Sequence, residues 1–342
     1  MNITTIGLDI AKQVFHVIGA DERGHQGLKK CLRRGKVLEY FANLPACVVG
    51  IEACGGAQYW ARELKASGHD VRLMNPRYVK PFLRGNKNDY NDAGALCEAV
   101  VHPRMRFVPL KTPEQLDLQA LHRIREGLVK DRTVLVNRTR GLLGERGIVV
   151  PKGIGSFRRR LPEVLEDGDN GLSDLFRGLV AQTYRQIRDL DEQIAHHEAT
   201  LVRTSATHEV CRRLDEIPGV GAIIATALVA AAGNAESFRN GRQFSAWMGL
   251  VPRQHSTGGK PRLLGISKRG DKRLRTLIIH GARAVVRHAG HKTDPLSLWI
   301  QALQARKGTN VAVVALANKI ARIAWVIIRR EERYQPTLAT RS

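Results

Sequence analysis

Aromatic residues make up only 5% of the 342 residues, too few to line a groove in which the protein itself reads single-stranded sequence. Cysteine is sparse as well. Cys31, Cys47, Cys54, Cys97 and Cys211 are odd in number, scattered, and form no CxxC pair, which argues against a zinc ribbon or disulfide framework and fits a reducing compartment. No run of about eighteen uncharged apolar residues occurs. The best one, Val311 to Ile328, carries Lys319 and Arg322 in its middle, as the core helix of a soluble protein does. The N-terminus, MNITTIGLDIAKQ, lacks the charged start and apolar run of a signal peptide. A soluble, cytoplasmic (nucleoid-associated) protein with no membrane partner is expected. No GxGxxG follows the first apolar run, which argues against a dinucleotide-binding fold.

Acidic residues are also in deficit, 32 Asp+Glu against 55 Lys+Arg, for a net charge of +23 and a pI near 10.4. A field of that sign and size draws polyanions, with nucleic acid the leading partner. The excess is uneven. Residues 1–110 hold 16 basic and 10 acidic side chains, residues 111–236 hold 18 of each, and residues 237–342 hold 21 against 4. Between Arg253 and Arg287, ten Lys/Arg face one acid, Asp271. A lone basic run is usually a solvated surface, but a bias confined to one third of the chain points to a polyanion-binding part.

At this length the chain is large enough for two domains, or one with a sizeable core. The first hundred residues alternate β-rich runs (Ile3–Leu8, Val14–Ala20, Leu28–Leu32, Val48–Ile51, Val71–Met74) with helical patterns near Val37–Leu44 and Gln58–Ser67. Three strands in a meander, then a helix and a further strand, predict an RNase H-like α/β domain over residues 1–110. Apolar residues at three- and four-residue spacing predict a long helix from Pro113 to about Arg146 and another from Ser173 to Val202. These form a charge-neutral helical hairpin or coiled coil, residues 111–207. Residues 208–342 read as a mostly helical domain. In it, Ile217-Pro218-Gly219-Val220-Gly221 before a small-residue helix resembles a helix-hairpin-helix turn, which serves either phosphate binding or plain packing. A loop is expected at Leu250–Lys272, with helices at Leu274–His288 and Asn310–Arg330.

Two chemical constellations stand out. Asp9 (GLDIAK) and Glu52 (GIEACGG) sit where β-rich runs end, and Asp89 and Asp92, three apart in NKNDYNDA, share one face at a helix start. Four carboxylates at one end of a sheet suit two Mg²⁺ ions about 4 Å apart and phosphodiester chemistry. Singly, each has another reading: a turn residue for Asp9, a surface acid for Glu52, an N-cap for Asp89 or Asp92. The second constellation is GLVPRQHSTGGKPRLLGISKRG. There Ser256 and Thr257 precede a Gly-Gly pair among Arg253, His255, Lys260, Arg262, Lys268 and Arg269, with Lys272 and Arg273 close behind. An exposed hydroxyl among cations suits a nucleophile on phosphorus or a loop that only holds phosphate. GxxxxGK[ST] does not occur in it.

In order and spacing, IGLDIAK, GIEACGG, Asn75-Pro76 with Val79, Lys80 and Phe82, NKNDYNDA, IPGVG, WMGLVPRQHSTGGK and GISKRGDKRLR resemble the DEDD-type insertion-sequence transposases of the one-ten family, in particular its one-one-one-one subgroup. The resemblance implies a RuvC-like N-terminal domain similar to Holliday-junction resolvases, with the acidic set on Asp9, Glu52, Asp89 and Asp92. It also implies a C-terminal transposase domain with a nucleophilic hydroxyl after GLVP, completed into a composite site by a partner subunit. Ser256, a primary hydroxyl, is preferred, with Thr257 the alternative. An element-encoded guide RNA that pairs with donor and target DNA, and a dimer or tetramer joined through the hairpin, follow from the same likeness. The competing readings are a stand-alone RuvC-like nuclease and a non-enzymatic nucleic-acid-binding protein whose acids only cap helices.

Overall fold

The computed structural model describes residues 2–86 and 88–336, in two compact units, residues 1–112 and 113–342. In the first, β1 (Thr5–Ile10), β2 (Val14–Ala20) and β3 (Gln26–Arg33) form the meander. They are followed by α1 (Val37–Ala42), β4 (Val48–Glu52), α2 (Ala57–Ala66), β5 (Asp70–Met74), the single turn α3 (Pro76–Val79), α4 (Asp89–Val100) and a short β6 (Phe107–Val108). The sheet order is β3-β2-β1-β4-β5-β6, with β1, β4 and β5 parallel and β6 antiparallel to β5. This is the RNase H-like α/β arrangement.

The pleat decides what each face can hold, because successive side chains point to opposite sides. Ile6 and Leu8 of β1 and Val49 and Ile51 of β4 pack with Phe41, Trp60 and Leu64 from α1 and α2. On the other face the intervening residues are Gly7 and Gly50. A side chain at Gly7 would collide with the backbone of Ala93 and Cys97, and one at Gly50 with Leu96 and Val100. The two glycines therefore let α4 lie directly on the sheet. β1 extends two residues past the expected Leu8, since Asp9 pairs with His16 and Ile10 with Phe15.

The second unit begins with α5 (Pro113–Gly144), α6 (Ile154–Glu166) and α7 (Asp174–Thr207). α5 and α7 run antiparallel, joined by Arg125–Glu198 and by Arg132–Asp191 at 2.7 Å. The inward residues of α7, Val180, Ile187, Ile194 and Leu201, recur every seven positions, the 3.5-residue period of a two-helix seam. α6 covers the far end with Phe157, Leu161 and Val164. Then come α8 (Glu209–Asp215), α9 (Ala222–Ala232), α10 (Gly241–Trp247), β7 (Pro252–Gln254), β8 (Leu263–Ile266), α11 (Lys272–His288), α12 (Pro295–Lys307) and α13 (Thr309–Arg330).

α9 is almost wholly buried, and His122 of α5 meets Thr226 of α9 across 3.0 Å, which ties the hairpin to the helical core. The turn before α9 packs against α11. Gly219 (φ +87°) and Gly281 approach so closely that a side chain on either would strike the other's carbonyl. Among the described residues only α13 is long and apolar enough to cross a membrane, and Leu316, Ile320, Ala324 and Ile327 turn into the core.

The structure corrects the expected loop at Leu250–Lys272, which folds as a β-hairpin of β7 and β8. Its strands are exposed and so lack the alternation that marks a half-buried strand. Helices α6 and α12 were not expected either. α6 is broken in pattern by Pro162, and α12 buries only Leu296, Ser297 and Ile300.

Candidate active site

The local sequences GLD and GIE place a carboxylate two residues beyond each glycine that seats α4, on the same face of the sheet. Asp9 and Glu52 therefore emerge where α4 begins, and α4 begins with Asp89 and Asp92, capped by Asn88 through the Tyr90 N–H. Asp9, Asp89 and Asp92 have carboxylate oxygens within 4.8 Å of one another. Glu52 lies outside that tight set but within the same field. Burial, Asp92 and Asp89 push the Asp9 carboxyl up to about 6, with a smaller push from Glu52. Burial and then Asp92 raise Glu52 as well.

Carboxylates crowded in this way repel unless a cation joins them. Three clustered carboxylates offer the oxygen ligands that a divalent cation takes. Asp9, Asp89 and Asp92, with Glu52 at the edge, are the residues that would hold it.

His16 is a neighbour the sequence reading did not single out. Paired with Asp9 across β1 and β2, it has its Nδ1 3.7 Å from an Asp89 oxygen and its ring edge-on to Tyr90 at 4.7 Å. The only available signal was the short turn between the two strands, which sets this register.

Ser256 and Thr257 lie near the tip of the β7–β8 hairpin. Gly258 (φ +58°) and Gly259 (φ +76°) make the two-residue turn, closed by the Lys260 N–H donating to the Thr257 carbonyl at 3.1 Å, and both left-handed positions suit only glycine without strain. Ser256 Oγ accepts from the Gln254 amide at 2.9 Å and from the Arg262 N–H at 3.4 Å, so its own proton remains to be given up. The base of the hairpin is clamped. A side chain at Gly270 would strike the Trp247 carbonyl, and buried Arg275 donates to the Met248 carbonyl at 2.9 Å.

Arg253, Lys260, Arg262, Lys268, Arg269 and Lys272 are all exposed. Arg273 is the exception. It is half-buried, with its guanidinium 3.4 Å from the exposed Glu126 of α5, which partly offsets its charge. Asp271, the one acid of this window, caps α11 by accepting from the Arg273 and Leu274 N–H groups. The outward face of α11 carries Lys272, His280, Arg283 and Arg287.

Comparison with known proteins finds two family profiles that match the chain. A DEDD-type transposase family profile matches residues 6–146, and the profile described as Transposase IS116/IS110/IS902 family matches residues 211–295. The chain is 48% identical over 337 residues to a probable family 20 transposase of Pseudomonas aeruginosa, covering 98% of this chain and 100% of that protein. It is 45% identical to the transposase for insertion sequence element IS1111A of Coxiella burnetii, over 98% of this chain and 92% of the relative. With the transposase for insertion sequence element IS1328 of Yersinia enterocolitica, identity is 40% over 95% and 97% of the two chains. An RNase H-like sheet carrying an acidic cluster, a basic helical unit and full-length likeness of this degree converge: the chain belongs to the IS116/IS110/IS902 family of transposases and is a DNA transposase/recombinase.

Proposed function

We propose that the protein cuts and rejoins DNA with two cooperating groups: a Mg²⁺-dependent acidic site of Asp9, Glu52, Asp89 and Asp92, and Ser256 as nucleophile, with Thr257 the alternative. The observation that carries this is the convergence of Asp9, Asp89 and Asp92 at one end of the sheet. Two bound Mg²⁺ ions would supply charge neutralisation for both sides of an in-line displacement at phosphorus. The Ser256 Oγ–P bond forms as a P–O bond to a deoxyribose oxygen breaks. The serine proton leaves to a base or solvent, and the released oxygen takes one up. Attack by a new deoxyribose hydroxyl reverses the step and rejoins the strand. Arg253, Lys260, Arg262, Lys268, Arg269 and Lys272 hold the flanking phosphates.

In this reading the organisation is threefold: a RuvC-like domain of residues 1–110, a helical hairpin of residues 111–207 that joins subunits, and a transposase domain of residues 208–342. An element-encoded RNA selects donor and target, and the complex works in the cytoplasm on nucleoid DNA. The seven-residue spacing along α7 supports the coiled-coil element, and the charge of the last third supports large nucleic-acid surfaces.

The test is incubation with Mg²⁺, the flanking RNA and cognate DNA, followed by a search for a denaturation-resistant adduct mapped by mass spectrometry. An adduct on Ser256 or Thr257 that disappears in Asp9→Ala supports the composite site. Cleavage without an adduct, unchanged in Ser256→Ala, favours a hydrolytic RuvC-like nuclease instead.

A further inference from the structure

The second unit holds a cavity of about 550 Å³ between the start of α10, one face of α13 and the segment 330–335, within the size range of small-ligand sites. Among the described residues five cations line it, Arg242, Lys319, Arg322, Arg330 and Arg333, against a single acid, Glu332. Two of the five are partly neutralised: Arg330 lies 3.7 Å from Glu332, and Arg333 lies 4.0 Å from Glu216. Lys319 stacks over the Trp299 ring at 4.6 Å. Among the described residues neither Arg242 nor Arg322 has a carboxylate partner. Between the cations the wall is apolar, with Ile323, Val326 and the Tyr334 ring.

An apolar pocket edged by guanidinium groups without a carboxylate partner suits a ligand with a flat apolar body and an attached anion. A nucleotide of a single strand has this form, with a base against an aliphatic and aromatic wall and phosphates on arginines. An acidic peptide would leave the apolar wall uncovered, and a duplex keeps its bases stacked and offers none to that wall. We propose that this cavity binds one nucleotide unit of a single-stranded nucleic acid, holding it without reading its sequence. The proposal rests on the nucleic-acid role of the chain and is independent of the acidic site and of Ser256.

The experiment uses the full chain in EDTA and a fluorescein-labelled mixed-sequence decadeoxynucleotide, followed by anisotropy against salt concentration. Removing two phosphate contacts from a single strand lowers the salt slope by about 1.4 and weakens binding about 25-fold at 0.1 M salt, which is the result expected of Arg242→Ala/Arg322→Ala. Val326→Trp fills the cavity while keeping every charge, and it is expected to weaken binding with the slope unchanged. A measurement on the wild-type protein avoids dependence on how these variants fold: 4-thiothymidine in the strand should crosslink to peptides of α10, α13 or residues 331–335. Wild-type affinity in both variants, or crosslinks confined to the β7–β8 hairpin, would overturn the assignment.

Discussion

In the absence of divalent metal, Asp9→Asn is expected to stabilise the unit of residues 1–112. The folded state holds Asp9 with two carboxylates within 4.8 Å and lifts its pKa from 3.8 to about 6, through burial first and then Asp92 and Asp89. At about 1.4 kcal/mol per pH unit the ionised carboxylate costs the fold at most about 3 kcal/mol. Asp9 is only partly buried, so solvent screening reduces this to about 1–2 kcal/mol. An acid whose folded pKa is raised binds its proton more tightly when folded. The cost is thus fully present above pH 6, is relieved as pH falls through 6, and is gone below 3.8.

The assay is urea unfolding in EDTA at about pH 8, read by hydrogen exchange of the β1 and β4 amides so that this unit is followed alone. The Asn variant should gain about 1–2 kcal/mol there and lose the advantage near pH 4. Added Mg²⁺ should then stabilise the wild type in proportion to its occupancy and the variant much less. If the variant is less stable than the wild type in EDTA at pH 8, or Mg²⁺ stabilises both equally, the carboxylates neither repel nor share a cation.

Gly7→Ala drives a methyl group into the backbone of Ala93 and Cys97. The overpacking should cost about 1–3 kcal/mol and, by lifting α4, weaken Mg²⁺ binding measured by calorimetry; unchanged metal affinity would contradict the account of how Asp89 and Asp92 reach the sheet. Burial, with Arg273 and Arg125 nearby, lowers the pKa of His122 to about 4, so the folded state keeps it neutral, and about 3 kcal/mol of stability present above pH 6.5 is lost as pH falls to about 4. His122→Gln should flatten the acid limb of the stability profile, whereas Thr226→Val, which removes the acceptor 3.0 Å from Nε2, should cost about 1–3 kcal/mol at neutral pH. Lys268→Ala/Arg269→Ala should lower the salt slope of duplex binding by about 1.8, while Arg273→Ala, which breaks the pair with Glu126, should lower the unfolding temperature and leave the slope unchanged.

What was legible in the sequence is what local periodicity and composition encode. The strands of the meander, the two long helices, α11 and α13 follow from apolar spacing. The division of charge between the two ends of the chain needs only counting. GLD, GIE and NKNDYNDA named the acidic residues because each lies where a β run ends or a helix starts. The β7–β8 hairpin was missed because both strands are solvent-exposed, so nothing selects an alternating pattern; only the Gly258–Gly259 turn hinted at it.

Tertiary structure decided which distant residues meet. Sequence spacing carries no information about how closely α4 lies on the sheet, and hence that Asp9 and Asp89, eighty positions apart, share one field while His16 lies against Asp89. Nor does it show that Arg273, one cation in a run of exposed ones, pairs with Glu126 of α5, or that Arg242 and Arg322 edge the same cavity. The side chain of each is ordinary in its local context. Its role depends on what packing brings beside it, because burial and a neighbouring charge alter a group's energetics far more than its position in the chain does.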